Sequence, residues 1–599
     1  MTMSLHWIDT SIIIVYLIAV VLMGIWLRNR AGEGLSEYFL GGRSIPWYLL
    51  GMSNASSMFD VTGTMWMVTI LFVYGAKAIF LPWLWPTFNQ VFLMVYLAVW
   101  IRRSGVMTGG EWIGTRFGKG RGAEMSRIAV VVFALLMVIS FLMYAYQGVG
   151  RFAAGLLPWD LTPTTYAIIL MSITTIYVIL GGMLSVVLTD VFQFAMLTIA
   201  SLIIGVIAII KVSPEALAAV TPDGWQSIGI GRELNIHWHG LIPQIDGKIA
   251  SDGYWMFGMV WMMMLTRGFF SSMAGTAPNY DMQRVLATKR PRDSALMSAM
   301  VSVLLIPRWL LIAGITTLGL VFFSDTLSGL ENIDFEMIMP WVIRDFVPIG
   351  VTGLIVAGLL AAYMSTFDST VNAGAAYVVN DIYRRYINPD ASEKRLIWMS
   401  YGASILIVVI GLIFGATAES IHQAMGWIVS GLFAGFTVPN ILKWHWWRFN
   451  GYGYFWGMMG GMGGAMILAV ILPDGTDLLW WFPAIMGVGL VSSVAASLLT
   501  QADDMETLKQ FYKTVRPWGY WGPVVDALSN EDKDWQTDAN SVRDLTNVVV
   551  GIIWQTALVL IPVYLVLQNY SAFSLSFAVA VLLSWVLKRN WYDKLAEED

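Results

Sequence analysis

Cysteine is absent from this chain of 599 residues, which excludes disulfide bonds, thiolate metal sites and cysteine nucleophiles. Histidine occurs only five times, and only His237 and His239 are near neighbours, for which a polar surface loop is a better explanation than a metal site. Charged residues are also scarce, at 13%, and the net charge of −5 gives no indication of a nucleic-acid partner. A membrane-embedded enzyme would need paired histidines, a nucleophile with its base or a cofactor motif, so we expect no enzyme.

Apolar residues make up most of the chain. The chain is 57% hydrophobic and 14% aromatic, with a mean hydropathy of +0.66, and a soluble protein of this composition could not cover its surface with polar groups. Apolar stretches of about 20 residues, the length that crosses a bilayer, recur almost from end to end. The sequence therefore predicts an all-α polytopic membrane protein with about fifteen transmembrane spans in one bundle and no separate catalytic domain.

The distribution of basic residues predicts an orientation. The first apolar run has no basic residue before it and no convincing cleavage site, and Arg28 and Arg30 follow it, so we interpret it as a retained span rather than a secretory signal. With the N-terminus outside, an odd number of spans places the C-terminus in the cytoplasm. Most of the 35 Lys and Arg residues then lie on the inside. We expect a plasma-membrane protein, in a bacterial inner membrane.

Two of the predicted spans are interrupted by small and polar residues. Span two (47–74) contains "SNASSMFDVTGTMWM", and span seven (253–275) ends in "RGFFSSMAGTAPNYD"; both include Ser-Ser-Met. The two spans are five apart, so equivalent elements would cross the bilayer in opposite directions. Paired interrupted spans of opposite direction indicate an inverted-repeat transporter whose broken helices line a site at the middle of the membrane. Close helix packing is the structural alternative for the small residues.

Span nine (350–378) carries an unusual cluster of polar side chains. In "GLLAAYMSTFDSTVNAG", Ser365, Thr366 and Ser369 share one helical stripe with Ala362, and Asp368 lies beside it. A lone hydroxyl in such a helix usually bonds its own i−4 carbonyl, but this density of hydroxyls beside an acid goes beyond that. Ionisable groups within membranes are costly and mark function, and a hard cation such as Na⁺ prefers oxygen ligands. The cluster therefore predicts half of an ion site.

Four motifs of the chain resemble those of a known family. The similar motifs are "SEYFLGGRSIPWYLLG", "LGGMLSVVLTDVFQ", "NYDMQRVLATK" and "GLLAAYMSTFDSTVNAGAAYVVNDIYRR", in this order over about the first 440 residues. They are similar to those of the sodium/solute symporter family, which includes the bacterial proline, sialic acid and galactose symporters and the animal sodium/glucose cotransporters. The resemblance implies a LeuT-type inverted repeat built from spans two to six and seven to eleven.

The same resemblance implies a division of the chain and two positions for sodium. An N-terminal extra span and loop (1–45) would precede the transport core (46–450), and further spans with a cytoplasmic loop near 501–545 would follow it (451–599). The first sodium site would take five neutral oxygens, from Ser53, Ser56, Ala362, Ser365 and Thr366. A second sodium site, found in several members, would use Asp190, Ser365, Asp368 and Ser369.

Asp368 departs from the family pattern, because members with the second site commonly have serine there. This carboxylate could strengthen sodium binding, carry a proton, or pair with an arginine such as Arg267 or Arg308. The number of coupled ions therefore stays open.

The substrate is predicted less closely than the ion. By resemblance, Asp60 corresponds to a residue that contacts substrate in sugar-transporting members, and Ala274 replaces their aromatic inner gate. Ser271 lies one turn before Ala274, and in this interpretation the gate is either absent or relocated to Tyr280 or to a neighbouring tryptophan. Asp60 could accept hydrogen bonds from hydroxyl groups or balance an ammonium group. Its structural alternative is a salt bridge to Lys77, Arg267 or Arg308.

These features favour a sodium-coupled secondary active symporter that imports a small polar solute, with a sugar or polyol ahead of other classes. The alternatives are an amino acid or carboxylate as the solute, a proton as the coupling ion, or a channel or sensor of the same fold. The expected partners are the solute, sodium and the lipid bilayer, and we expect the chain to function as a monomer because the family fold is complete within it.

Overall fold

The computed structural model describes residues 5–31, 33–417, 432–472, 480–531 and 540–595. In these ranges the regular structure is helical, and the only strand-like pairing is an isolated parallel bridge between Trp446 and Tyr520. The predicted all-α class is therefore confirmed for the described part of the chain.

The first part of the chain contains eleven α-helices, numbered here in chain order. They are α1 (Trp7–Ala31), α2 (Leu35–Leu40), α3 (Trp47–Met58), α4 (Val61–Tyr74), α5 (Asn89–Phe92), α6 (Ala98–Arg103), α7 (Gly109–Phe117), α8 (Arg121–Leu156), α9 (Pro163–Lys211), α10 (Pro214–Val220) and α11 (Gln244–Asp252). Two 3₁₀ segments and one π segment join some of them, at Gly41–Arg43, Gly75–Leu84 and Leu93–Leu97.

The remaining described residues form fourteen more α-helices. They are α12 (Phe257–Met273), α13 (Tyr280–Ala287), α14 (Pro291–Leu304), α15 (Ile306–Ser328), α16 (Ile338–Phe346), α17 (Val351–Ala376), α18 (Glu393–Thr417), α19 (Phe433–His445), α20 (Gly451–Ile471), α21 (Phe482–Leu499), α22 (Met505–Val515), α23 (Gly522–Glu531), α24 (Ser541–Val566) and α25 (Tyr570–Asn590). A π segment, Tyr377–Ile387, extends α17, and 3₁₀ turns occur at Phe335–Met337 and Tyr592–Lys594.

Ten helical segments in the described ranges are long and apolar enough to cross a membrane. The predicted count of fifteen spans is not confirmed by this criterion. One reason is that predicted spans five and six lie in the single segment α9, and another is that α12 has only 17 residues. Predicted spans eleven (420–441) and thirteen (478–500) begin outside the described residues.

Gly182 divides α9 into the two predicted spans. Its φ of 53° and ψ of −155° interrupt the helical conformation, and glycine adopts a positive φ without the steric penalty of other residues. A Cβ atom at this position would also lie 2.6 Å from the carbonyl oxygen of Tyr38. The kink therefore depends on glycine, and it places the second half of α9 against the centre of the bundle.

The centre of the bundle is formed by α9, α17 and α3. Helix α9 packs against α1, α3, α15 and α17, and α17 also packs against α3 and α8. The apolar window of the segment that contains α17 is 89% buried, whereas those of the first and last membrane segments are only 28% and 17% buried. The polar cluster on α17 therefore faces protein and not lipid, and the terminal helices surround this core.

Candidate functional site

Helix α3 and helix α4 are separated by a break at Phe59 and Asp60. The amide of Phe59 still bonds back to the carbonyls of Ala55 (3.1 Å) and Ser56 (3.0 Å), but Asp60 is extended, with φ −62° and ψ 148°. The Asp60 carboxylate caps the new helix by accepting a hydrogen bond from the amide of Gly63. The interruption predicted in span two is therefore real.

Span seven is broken in a corresponding way. Helix α12 ends at Met273 and α13 begins at Tyr280, so that both α3 and α12 end at the methionine of a Ser-Ser-Met sequence. Gly275 in the connection has a φ of 93°, and Asn279 caps α13 through the amide of Asp281 (3.0 Å). The matched interruptions in the sequence thus mark two broken helices.

The residues predicted for the first sodium site meet where α3 ends against α17. Thr366 Oγ1 donates to the carbonyl oxygen of Ser57 (2.7 Å) and lies 3.3 Å from that of Ala362. Ser57 Oγ lies 2.9 Å from Ser365 Oγ and 3.2 Å from the carbonyl oxygen of Ser53. Four of the five predicted residues are therefore connected through Ser57.

The fifth residue, Ser56, is less closely connected. Its carbonyl oxygen accepts the amide of Phe59, and its buried hydroxyl has no hydrogen-bond partner in the described residues. Ser57 was not predicted, although it follows Ser56 directly in the interrupted run. The broken end of α3 contributes carbonyl oxygens, and α17 contributes hydroxyl oxygens. Neutral oxygens of these two kinds are the type of ligand set that a sodium ion takes.

The position predicted for the second sodium site contains a charged side chain that the prediction did not include. Arg284, on α13, is 1% exposed, and its Nη2 lies 3.1 Å from Asp190 Oδ2. The same nitrogen donates to Ser57 Oγ (2.5 Å) and Ser369 Oγ (2.6 Å), and Nε donates to Ser53 Oγ (2.9 Å). A guanidinium group therefore connects α3, α9 and α17 at this place.

The second half of α9 supplies the acid of this cluster. Asp190 Oδ2 also accepts a hydrogen bond from Ser53 Oγ (2.5 Å). With the Gln193 amide oriented to satisfy its neighbours, its nitrogen donates to Asp190 Oδ1 (3.1 Å), and its oxygen accepts from Tyr16 (2.9 Å). Both oxygens of this fully buried carboxylate are therefore engaged within the protein.

Asp368 lies at the edge of the same cluster. Its Oδ2 accepts a hydrogen bond from the hydroxyl of Tyr177 (2.5 Å), and its Oδ1 accepts one from Ser369 (3.1 Å). Arg308, one of the two arginines suggested for it, is instead paired with Asp60. The guanidinium of Arg267, the other candidate, lies over the ring of Phe482 (4.9 Å). Ser369 links Asp368 to Arg284 through one hydroxyl group.

A cavity of about 250 Å³ opens beside the break in α3. Its wall includes Thr366 from the predicted first sodium site, Ser57 beside it, and Asp60 and Tyr280 from the predicted substrate residues. The other lining side chains are aliphatic, aromatic and polar. The aromatic ones are Trp66, Trp83, Trp85, Phe88, Phe141, Tyr144, Trp309 and Phe433, and the polar ones include Asn89, Gln90, Asn279, Ser302 and Arg308.

Asp60 is held by several neighbours within this wall. Its carboxylate lies 3.4 Å from Arg308 Nη2 and accepts a hydrogen bond from the Tyr144 hydroxyl (3.0 Å). The carboxylate is 18% exposed, so it still reaches the cavity. Lys77, another candidate partner, donates to the carbonyls of Gly224 (3.2 Å) and Ser227 (3.1 Å) instead.

The two remaining predicted substrate residues are placed differently. Ser271 and Ala274 are buried at 2% and 1% exposure, and neither is among the described residues that line the cavity. The hydroxyl of Ser271 lies 3.5 Å from that of Thr437 on α19. Within the described residues, no three His, Asp or Glu side chains converge as a transition-metal site.

Comparison with known proteins identifies the relatives of this chain. A model of the sodium:solute symporter family matches residues 38–461. The chain is 25% identical to a sodium/glucose cotransporter 4 from Danio rerio, over 78% of this chain and 72% of the relative. It is 23% identical to a sodium/glucose cotransporter from Vibrio parahaemolyticus (73% and 80% covered) and 25% identical to the Homo sapiens sodium/myo-inositol cotransporter (76% and 65% covered).

A solved structure gives the fold. The substrate-bound outward-open state of a Na⁺-coupled sialic acid symporter superimposes with a TM-score of 0.63, covering 83% of this chain and 99% of that one at 17% identity. The LeuT-type transporter fold predicted from the sequence is therefore confirmed.

Proposed function

Because the chain belongs to the sodium:solute symporter family and couples a solute to sodium, we propose that it imports a sugar or polyol through the cavity beside α3. One observation carries this proposal. Ser57 and Thr366 belong both to the wall of the cavity and to the group of residues at the first sodium site. A sodium ion bound there would fix the groups that face the solute.

This shared wall provides the coupling. If sodium binds better to the conformation in which α3 and α17 are held together, it favours that conformation by its difference in affinity, and the solute benefits from the same ordering. Each sodium ion that enters also gains about 2.3 kcal/mol per 100 mV of membrane potential. Rocking of the broken helices would then release both ligands inside. Such a cycle moves solute inward against its own gradient.

The chemistry of the cavity favours a polyhydroxylated solute. Carboxylate, guanidinium, amide and hydroxyl groups alternate with aromatic faces, which suits a ligand with many hydroxyls and apolar ring faces. Asp60 and Arg308 already balance one another at 3.4 Å, so a neutral solute would leave their charges compensated. The relatives named as sodium/glucose and sodium/myo-inositol cotransporters support the same class. To pair its own charges with these side chains, an amino acid or carboxylate would have to separate Asp60 from Arg308.

Uptake by proteoliposomes tests the proposal. The purified chain would be given a sodium gradient or a pH gradient separately, with radiolabelled sugars, polyols, amino acids and carboxylates. We expect concentrative uptake of a sugar or polyol with the sodium gradient alone. Uptake driven by the pH gradient would contradict the coupling ion, and uptake restricted to amino acids or carboxylates would contradict the solute class. Equilibration without accumulation would indicate a channel.

Asp60→Asn tests the role of the cavity. Asparagine is as good an N-cap as aspartate, so α4 should keep its start while the negative charge is lost. If Asp60 accepts hydrogen bonds from the solute, KM for the solute should rise about tenfold or more, corresponding to about 1.4 kcal/mol or more. The matched control is Asp504→Asn, because Asp504 caps α22 through the amide of Thr507 (3.2 Å), far along the chain. A lower maximal rate with unchanged KM would show that Asp60 only joins helices.

A further inference from the structure

The guanidinium group of Arg284 lies among the residues that would otherwise bind a second sodium ion. Asp190 and Ser369, two of the four residues of the second sodium site, both contact its Nη2, at 3.1 and 2.6 Å. Ser365 is linked to Arg284 through Ser57. The hydroxyl of Ser57 lies 2.9 Å from that of Ser365 and 2.5 Å from the same nitrogen. Arg284 therefore makes contacts that the ion would need.

The charge of Asp190 is already compensated at this place, whereas Asp368, the other acid of the predicted site, contacts Arg284 only through the hydroxyl of Ser369. Asp190 offers one negative charge, and Arg284 offers one positive charge in direct contact with it, with both side chains at most 1% exposed. A sodium ion bound to the same carboxylate would lie close to the positive charge of Arg284, and two like charges at short distance repel one another strongly inside a protein. The hydroxyls of Ser53, Ser57 and Ser369 also direct their oxygens to the guanidinium.

The first sodium site has a different character. Its residues contribute carbonyl and hydroxyl oxygens, and none of them carries a formal charge. Arg284 reaches this set only through the hydroxyls of Ser53 (2.9 Å) and Ser57 (2.5 Å), and not through a carboxylate that the ion would share. An ion at the first site can leave with the solute, whereas Arg284 is attached to the backbone of α13 and cannot.

We propose that Arg284 supplies the cation of the second sodium site, so that the chain couples one sodium ion, bound at the first site, to each solute. This inference rests on the proposed sodium-coupled import and specifies its stoichiometry. It also assigns a reason for the buried arginine. The charge of Arg284 holds α3, α9 and α17 together permanently, whereas an exchangeable second ion would hold these helices together only while it was bound.

Equilibrium binding of ²²Na⁺ to the purified full-length chain, in a sodium-free choline buffer, tests the inference. We expect one ion per wild-type chain and a Hill coefficient of one. Two ions per wild-type chain would overturn the proposal. Arg284→Lys keeps a positive charge at the end of a flexible side chain, so it should also bind one ion.

Arg284→Ser is the decisive variant. It removes the guanidinium, leaves space beside Asp190 and adds a hydroxyl ligand, so we expect two ions per chain and a Hill coefficient above one. A folded Arg284→Ser chain that still binds a single ion would contradict the assignment. If this variant does not fold, the wild-type and Arg284→Lys stoichiometries still decide the question. Solute uptake by the wild type without any sodium dependence would instead contradict the proposed function.

Discussion

The first and second sodium sites predicted for this chain are neighbours, yet they differ in how the charge of a buried cation is compensated. At the first site, neutral oxygens from the end of α3 and from α17 meet without a formal charge. At the second, a carboxylate from α9 is matched by a guanidinium from α13. Ser57 contacts both groups, with 2.9 Å to Ser365 and 2.5 Å to Arg284.

The difference indicates which of the two positions can exchange its ion. A cage of dipoles holds a cation moderately and releases it, as a transport cycle requires. A buried ion pair between side chains is permanent, and breaking it by removing one partner leaves an uncompensated charge. The first site is therefore suited to transport and the second to holding helices in register.

The largest effect is expected from removing the hydroxyls of the first site. In Ser365→Ala/Thr366→Ala the oxygens that α17 offers to sodium are lost, and few neutral ligands remain to replace them. We expect sodium-dependent solute uptake to fall to the level of protein-free liposomes, with expression and size-exclusion profile unchanged.

A matched control for that double variant is available on α9. Thr174→Ala/Thr175→Ala removes two adjacent buried hydroxyls that bond only their own helix, at the carbonyls of Leu170 (2.8 Å) and Met171 (2.6 Å). Uptake should be retained in this control. Sodium dependence that survives in Ser365→Ala/Thr366→Ala would exclude the first site as the place where the coupling ion binds.

An intermediate effect is expected at the second site, and it concerns stability. Asp190→Asn leaves the guanidinium of Arg284 buried without its counter-charge, which we expect to lower the free energy of unfolding by about 3–5 kcal/mol. Asp190→Asn/Arg284→Gln removes both charges and should recover most of that loss. Fluorescence-detected size exclusion after heating compares four chains, which are wild type, Asp190→Asn, Arg284→Gln and the double variant. Purely additive losses in the double variant would show that the pair is not coupled.

The control for this cycle is the ion pair between Arg385 and Glu124, at 2.6 Å with side chains 38% and 33% exposed. Solvent screens such a pair, so Glu124→Gln should cost about 0–1 kcal/mol. The comparison separates the effect of burial from that of removing a carboxylate.

Much of this architecture could be predicted from the sequence because its signals are local. Apolar length indicates membrane helices, and interrupted runs with Ser-Ser-Met mark where α3 and α12 end. The hydroxyl stripe on α17 follows from helical periodicity. The count of fifteen spans differs from the ten helical segments partly because the two spans predicted on either side of Gly182 form one continuous helical segment.

The identity of the second cation could not be predicted, because it depends on contacts far apart in the chain. Arg284 lies in the run "NYDMQRVLATK". A basic residue just after a span indicates a position in a loop. Only the fold brings it to Ser53, Asp190 and Ser369, at sequence distances of 231, 94 and 85 residues. A buried acid on one helix predicts that a partner exists, and the three-dimensional arrangement identifies it.

The smallest effect is expected from Tyr177→Phe, which removes the hydrogen bond to Asp368 Oδ2 (2.5 Å) and leaves Ser369 as its other donor. Because Asp368 does not belong to the first site, we expect the half-saturating sodium concentration to stay within about threefold of wild type, corresponding to less than about 0.7 kcal/mol. The Hill coefficient for sodium should stay at one. Tyr146→Phe is the control, since its hydroxyl bonds Thr164 (3.0 Å) away from any carboxylate. A tenfold shift or a changed Hill coefficient in Tyr177→Phe alone would mean that Asp368 takes part in binding a transported ion, and the contrast between the two sites would fail.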